Sequence, residues 1–175
     1  GWCNPLGWLP DGFTPYAHQA RAFERLSTYR EHIPKPTLVT TGTGSGKTES
    51  FLLPLLDHAR RTRARGTQGI TALVLYPMNA LVTDQARRMA HLISSDVALH
   101  GLRVGVYVGG NGKQRSMGAE HVIDHRETLR AQPPQILLTN YKMLDLLLMN
   151  PTHAPLLAGA DTSLTYLVLD EFHTY

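Results

Sequence analysis

Residues 41–48 read TGTGSGKT, and the types and spacing in this stretch fit one kind of chemistry, the holding of phosphate. Gly42, Gly44 and Gly46 let successive backbone N–H groups turn inward around phosphate oxygens, because glycine takes positive φ and adds no side chain to block the approach. Lys47 is placed to bridge the terminal phosphates and Thr48 to offer its hydroxyl to Mg²⁺. Thr43, Ser45 and Glu49 complete the set expected around the nucleotide. The phosphate-loop pattern G-x-x-x-x-G-K-[ST] has glycine at its first position, where this chain carries Thr41.

A second constellation lies at 166–175, YLVLDEFHTY, where an apolar run delivers two adjacent acids. Beside a phosphate loop, an acid at the end of a buried strand holds Mg²⁺, usually through water, and a second acid orients and deprotonates the attacking water. Asp170 fits the first role and Glu171 the second. Alone, a Gly/Ser/Thr loop reads as a flexible turn and an acid pair as a solvated strand end. Together in one chain they read as the two halves of an ATP and Mg²⁺ site.

Such residues need rigid elements to position them. Short apolar, largely β-branched runs at 37–41, 70–76, 103–108, 135–139 and 165–170 predict five strands, near-continuous in hydrophobicity and so buried on both faces. Helical spacing predicts helices over 17–29, 46–61, 78–94, about 118–130 and 141–149, with a bend at Pro54 where a backbone donor is missing. The alternation makes this an α/β fold with a mainly parallel sheet flanked by helices, and ligands in such sheets bind at the carboxyl ends of the strands. The glycine-rich stretch 109–118 reads as a mobile surface loop.

Length and composition agree. The 175 residues suit one domain with one core, and 42% hydrophobic with 18% charged residues excludes the signature of disorder. No apolar run is long enough for a membrane span and 1–12 has no secretory pattern, so a cytoplasmic setting without a membrane partner is expected. The single cysteine, Cys3, makes no internal disulfide. A net charge of +3 permits a nucleic-acid partner without requiring one.

With TGTGSGKT and DEFH in place, the chain resembles the first RecA-like motor domain of a superfamily 2 helicase, a P-loop NTPase fold. In that superfamily the loop commonly opens with Ala or Thr, as at Thr41, and the second motif reads DExH, as at 170–173. FTPYAHQ at 13–19 is similar to the Q motif, one residue shorter between Phe and Gln than in the DEAD-box form. That likeness implies that Gln19 reads the adenine edge, with Trp2, Trp8, Phe13 or Tyr16 as the stacking ring. YPMNALVTDQ at 76–85 and LLTNYKML at 137–144 resemble the motifs that meet the phosphate backbone of the tracking strand, which makes Pro77, Asn79, Thr139 and Asn140 nucleic-acid candidates. His173 falls where the resemblance places the coupling of ATP site and nucleic-acid path.

Phrases at 43–58, 75–85, 134–144 and 167–175 resemble in particular the YprA-like helicases related to the Lhr group, among them repair helicases of the MrfA type and Druantia-type phage-defence helicases. The resemblance implies a DNA-translocating ATPase, with DNA the expected strand, and possible partners among defence-operon or repair proteins. On this reading 1–175 is one N-terminal RecA-like domain. The second RecA-like lobe, which carries the arginine finger, lies outside these residues, so the chain alone is expected to turn ATP over weakly.

Other signals weigh less. The basic run at 59–66 reads as a helix end, and His121 with His125 lacks the Glu of a zinc-binding H-E-x-x-H. An ATP-binding-cassette or kinase-type reading finds no LSGGQ-like signature. A nucleotide-gated clamp that holds DNA without separating strands stays open as the alternative.

Overall fold

The computed structural model describes residues 4–42, 44–110 and 112–174, so Trp2, Cys3 and Thr43 lie outside the described residues. The chain forms two compact units, Gly1–Thr62 and Arg63–Tyr175.

The second unit is built on a parallel sheet of β1 (Ala72–Tyr76), β2 (Val104–Tyr107), β3 (Ile136–Asn140) and β4 (Tyr166–Leu169), in the order β2-β3-β1-β4. β1 is paired on both sides, with Tyr76 opposite Asn140 of β3 and Leu75 opposite Leu169 of β4, while Tyr107 of β2 lies opposite Thr139. β1, β2 and β3 are buried almost throughout, as their continuous apolar runs require. Ile70, Leu73, Leu75, Tyr107, Leu129, Leu137, Leu147 and Leu156 form the core. The connections carry α3 (Asn79–Ser95), α4 (Arg126–Ala131), α5 (Tyr141–Met149), α6 (Ala160–Ser163) and a 3-10 segment Pro151–Leu157. Among the described residues no helix is long and apolar enough to cross a membrane.

Three sequence expectations change here. β4, the edge strand beside β1, is buried on one face only, with Tyr166 inside and Leu167 and Leu169 exposed on the other. A helix over 118–130 shrinks to α4, because the His125 ring nitrogen Nδ1 caps the Thr128 N–H and sets the start at Arg126. Before it the chain instead lies along β2, where Val106 N–H donates to Ile123 and Ile123 N–H to Val104. His121 and His125 therefore share no helix face, and no metal-ligand cluster occurs among the described residues.

The first unit holds α1 (Ala17–Leu26), a 3-10 turn Tyr29–Glu31, and most of α2 (Lys47–Ala64). α1 stops three residues short of the expected end, since Ser27 is extended and Arg30 and Glu31 take positive φ. α2 runs unbroken through Pro54 and is buried nearly all round from Ser50 to Ala59. Leu6, Phe23 and Leu53 make a small core on which Trp8, Leu9 and Phe13 pack. The expected strand at 37–41 does not form. Proline at 36 cannot donate to a ladder, Arg25 takes the Pro36 carbonyl at 2.8 Å and the Thr37 hydroxyl at 3.1 Å, and Leu38 is 75% exposed, so nothing buries the run.

One buried charge organises this unit. Asp57 is fully buried on α2 and accepts from Arg60 at 3.1 Å and Arg61 at 2.9 Å, while Arg61 also donates to the Thr28 hydroxyl at 2.7 Å. Burial pushes its carboxyl up from the ordinary carboxylate range against the downward pull of Arg61 and Arg60. The basic run at 59–66 thus spends its first two arginines on Asp57, and Gly66 closes the helix end at φ +82°. Asp57→Ala leaves Arg61 without its carboxylate and is expected to cost about 3 kcal/mol, read as a lowered denaturant midpoint with unchanged slope.

Candidate functional site

The phosphate loop of the first unit is shaped by its glycines and closed by its hydroxyls. Gly44 and Gly46 take φ of +74° and +78°, conformations that cost other residues. Thr41 Oγ1 lies 2.6 Å from Ser45 Oγ, which donates to the Gly42 carbonyl at 2.7 Å. The hydroxyl that replaces the pattern's first glycine therefore closes a clasp across the loop. Lys47 and Thr48 open α2, half-buried, where the exposed N–H groups and dipole of a helix start favour anions. Glu49, an acid in the same turn, lies alongside Gly46.

Gln19 ties α1 to this loop. It is buried to 6% exposure, accepts the Tyr16 N–H on Oε1 at 3.0 Å and donates from Nε2 to the Gly46 carbonyl at 3.0 Å. A Cβ at Gly46 would stand 2.6 Å from that Nε2, so the contact itself requires glycine there. The amide keeps a second N–H and a second lone pair, the two valences a purine edge needs. Of the rings read from the sequence, Trp8 and Phe13 pack into the core, whereas Tyr16 is 67% exposed at the start of α1, stacked on His18 at 5.9 Å.

The acid pair of the second unit ends β4. Asp170 extends the ladder by donating its N–H to Leu75, and its Oδ1 accepts the Glu171 N–H at 2.9 Å. Glu171 has φ +52°, a left-handed conformation unusual for a residue with a long side chain. Its carbonyl accepts both the N–H and the hydroxyl of Thr174, and its carboxylate lies 3.5 Å from His173 Nδ1. Both side chains are well exposed, so this contact adds little to stability.

At the carboxyl ends of β1 and β3, Asn140 and Asn79 meet. Asn140 Nδ2 donates to Asn79 Oδ1 at 2.6 Å, while Asn140 Oδ1 caps α5 through the Met143 N–H at 2.9 Å. Pro77 stands beside them, half-buried, two residues before α3 begins. Thr139 is fully buried and its hydroxyl bonds the Tyr107 carbonyl, so it joins β2 to β3 behind the two asparagines.

Sequence spacing held no signal for a polar network under this edge. Tyr107 Oη lies 2.7 Å and Arg130 Nη2 2.9 Å from His153 Nδ1, and Arg126 sits over the Tyr107 ring at 5.0 Å. An N–H of arginine can only donate, so Nδ1 accepts and the ring is neutral. Burial, then Arg130 and Arg126, hold the imidazole below its usual range.

The sequence pattern of the DEAD/DEAH box helicase family matches residues 16–175. Among curated proteins, the chain is 40% identical over 96 residues to Druantia protein DruE of Escherichia coli, across 52% of this chain and 5% of that protein. It is 27% identical to a Lhr helicase/probable uracil glycosylase of Mycolicibacterium smegmatis, across 97% of this chain and 11% of that one. To the ATP-dependent helicase Lhr-Core of Methanothermobacter thermautotrophicus it is 22% identical, across 95% and 19%. The chain thus spans less than a fifth of the length of each of these relatives.

Proposed function

The chain belongs to the DEAD/DEAH box helicase family, and from that premise we propose that it is the N-terminal RecA-like domain of a larger DNA helicase or translocase. On this reading a second RecA-like lobe completes the ATP site. The observation that carries the reading is the loop 42–48 opening directly into α2, with left-handed glycines at 44 and 46 and Gln19 bonded to its backbone.

In the proposed cycle Gln19 and Tyr16 hold the adenine, Gln19 by its spare amide valences and Tyr16 by its exposed ring. Backbone N–H groups of the loop and the Lys47 ammonium take the phosphates, with Ser45 in that cradle; Thr43, outside the described residues, is assigned to it by the motif alone. Thr48 and Asp170 supply hard oxygen donors, the set that Mg²⁺ prefers. Bound there, Mg²⁺ would neutralise charge on the phosphates. Glu171 accepts the proton of the attacking water, and His173, beside its carboxylate, links that event to the strand path. Pro77, Asn79 and Asn140 contact backbone phosphates, with Thr139 bracing them from below. A cytoplasmic setting, and a role in phage defence or repair, belong to the same proposal.

The test uses the intact protein: ATP turnover with and without single-stranded DNA, and displacement of a labelled strand from a partial duplex. Stimulated turnover with strand release, or with directional movement, is the expected result. ATP-dependent retention on DNA with neither would put the clamp reading in its place.

A further inference from the structure

A cavity of about 470 Å³ opens in the second unit, lined by none of the residues assigned to nucleotide, metal or strand above. Its floor is apolar: Ala90 and Ile93 come from the end of α3, Leu102 and Ile123 lie beside β2, and Met117 closes one side. Among the described residues that line it, the permanently charged ones are Arg103 and Arg115, and none is an acid. A third cation stands next to it, since a Cβ at Gly101 of the lining would meet Arg63 Nη2 at 2.6 Å. Its volume and its apolar make-up with a few fixed polar groups are those of a small-ligand pocket.

The walls are held in place. The expectation of a mobile loop over 109–118 gives way here, because Gln114 is bonded on both sides of its backbone: its N–H goes to Asp124 Oδ1 at 2.6 Å, and its carbonyl accepts the N–H groups of Asp124 and His125 at 3.0 Å each. Gly118 N–H donates to the His121 carbonyl at 2.9 Å, so the segment carrying Arg115 and Met117 is tied at both ends. Met117 Sδ accepts the Val104 N–H at 3.2 Å, which seats the thioether against the start of β2. Arg103 is fixed by Gln132, whose side-chain oxygen accepts from Nη1 and whose carbonyl accepts from Nη2 at 2.9 Å. Those acceptors are neutral, so they satisfy N–H groups without balancing the charge. Arg103 Nε is buried and has no hydrogen-bond partner among the described residues. Burial holds this guanidinium below its ordinary pKa, as expected of a cation withdrawn from water.

The cavity lies at the amino ends of the strands, with Arg103 immediately before β2 and Gln132 shortly before β3. Asn79, Asn140 and Asp170 stand at the carboxyl ends. A ligand in the cavity therefore leaves all three uncovered.

We propose that this cavity binds a small organic anion, a carboxylate carried on an apolar body, with Arg103 and Arg115 taking the carboxylate and Ala90, Ile93, Met117 and Ile123 covering the body. Arginine suits that task because its planar fork matches a carboxylate. The inference stands independently of the nucleic-acid reading.

The experiment is calorimetric titration of the intact protein, without nucleotide or nucleic acid, using octanoate, decanoate and decylammonium as probes. Decanoate is expected to bind saturably at one site. Each methylene taken from water strengthens binding about fourfold, so octanoate should bind about fifteenfold more weakly. Decylammonium, with the same chain length and the opposite charge, should bind at least about tenfold more weakly than decanoate. Arg103→Gln is expected to weaken decanoate about tenfold and to narrow its advantage over decylammonium. Ala119 is an exposed residue of the lining, so Ala119→Trp fills the cavity from its mouth and should remove decanoate binding while ATP turnover stays at the wild-type rate. No saturable binding of decanoate overturns the site, as does equal affinity for decylammonium. Decanoate binding that both variants leave unchanged also overturns it, because the anion then sits elsewhere.

Discussion

Glu171→Gln in the intact protein is expected to bind ATP as the wild type does and to hydrolyse it about a thousandfold more slowly in the presence of nucleic acid. The amide keeps the size and hydrogen-bonding reach of the side chain but cannot take a proton from water. The backbone at Glu171 is held independently of the carboxylate: its N–H bonds Asp170, and its carbonyl takes two bonds from Thr174. The substitution thus removes a base without moving the turn. Nucleotide binding by fluorescence titration, paired with steady-state turnover, separates the two properties. Parallel loss of ATP affinity and turnover would refute the assignment of Glu171 as base.

Lys47→Ala is expected to fail earlier, at binding. Lys47 is the cation at the start of α2, immediately after Gly46, and the remaining attraction for phosphate comes from backbone dipoles alone. Removing a charge-assisted hydrogen bond to a desolvated phosphate costs about 3 kcal/mol, a drop in ATP affinity of roughly a hundredfold. Hydrolysis falls with it, and saturating ATP should not restore the rate, because the same ammonium stabilises charge on the transferred phosphoryl group. Affinity and maximal rate close to wild type would remove Lys47 from the site. The contrast with Glu171→Gln is diagnostic: one variant loses the ligand, the other keeps it and cannot use it.

Much of this was legible in the residues. Continuous apolar runs announced β1, β2 and β3, since strands covered on both faces cannot alternate. The phosphate loop was legible because its geometry admits few residue types, and Gly44 and Gly46 carry the positive φ that made them necessary. The run at 37–41 looked equally strand-like, but composition does not reveal that Arg25 captures the carbonyl of Pro36. The motif resemblance at 137–144 grouped Thr139 with Asn140 as a nucleic-acid candidate, and only the pairing of β2 with β3 shows that its side chain is buried. Ile93 and Met117 are distant in sequence, and only the return of the chain along β2 brings them to one cavity. Local chemistry was readable, whereas anything assembled across the sheet was not.

The left-handed backbone at Glu171 sets two demands against each other. That conformation suits glycine or asparagine, and it burdens a residue with a long side chain. The proposed chemistry needs a carboxylate that neither can provide. On the proposed reading the strain at Glu171 is borne for the sake of its carboxylate, which makes 171 a site where greater stability and greater activity call for different amino acids.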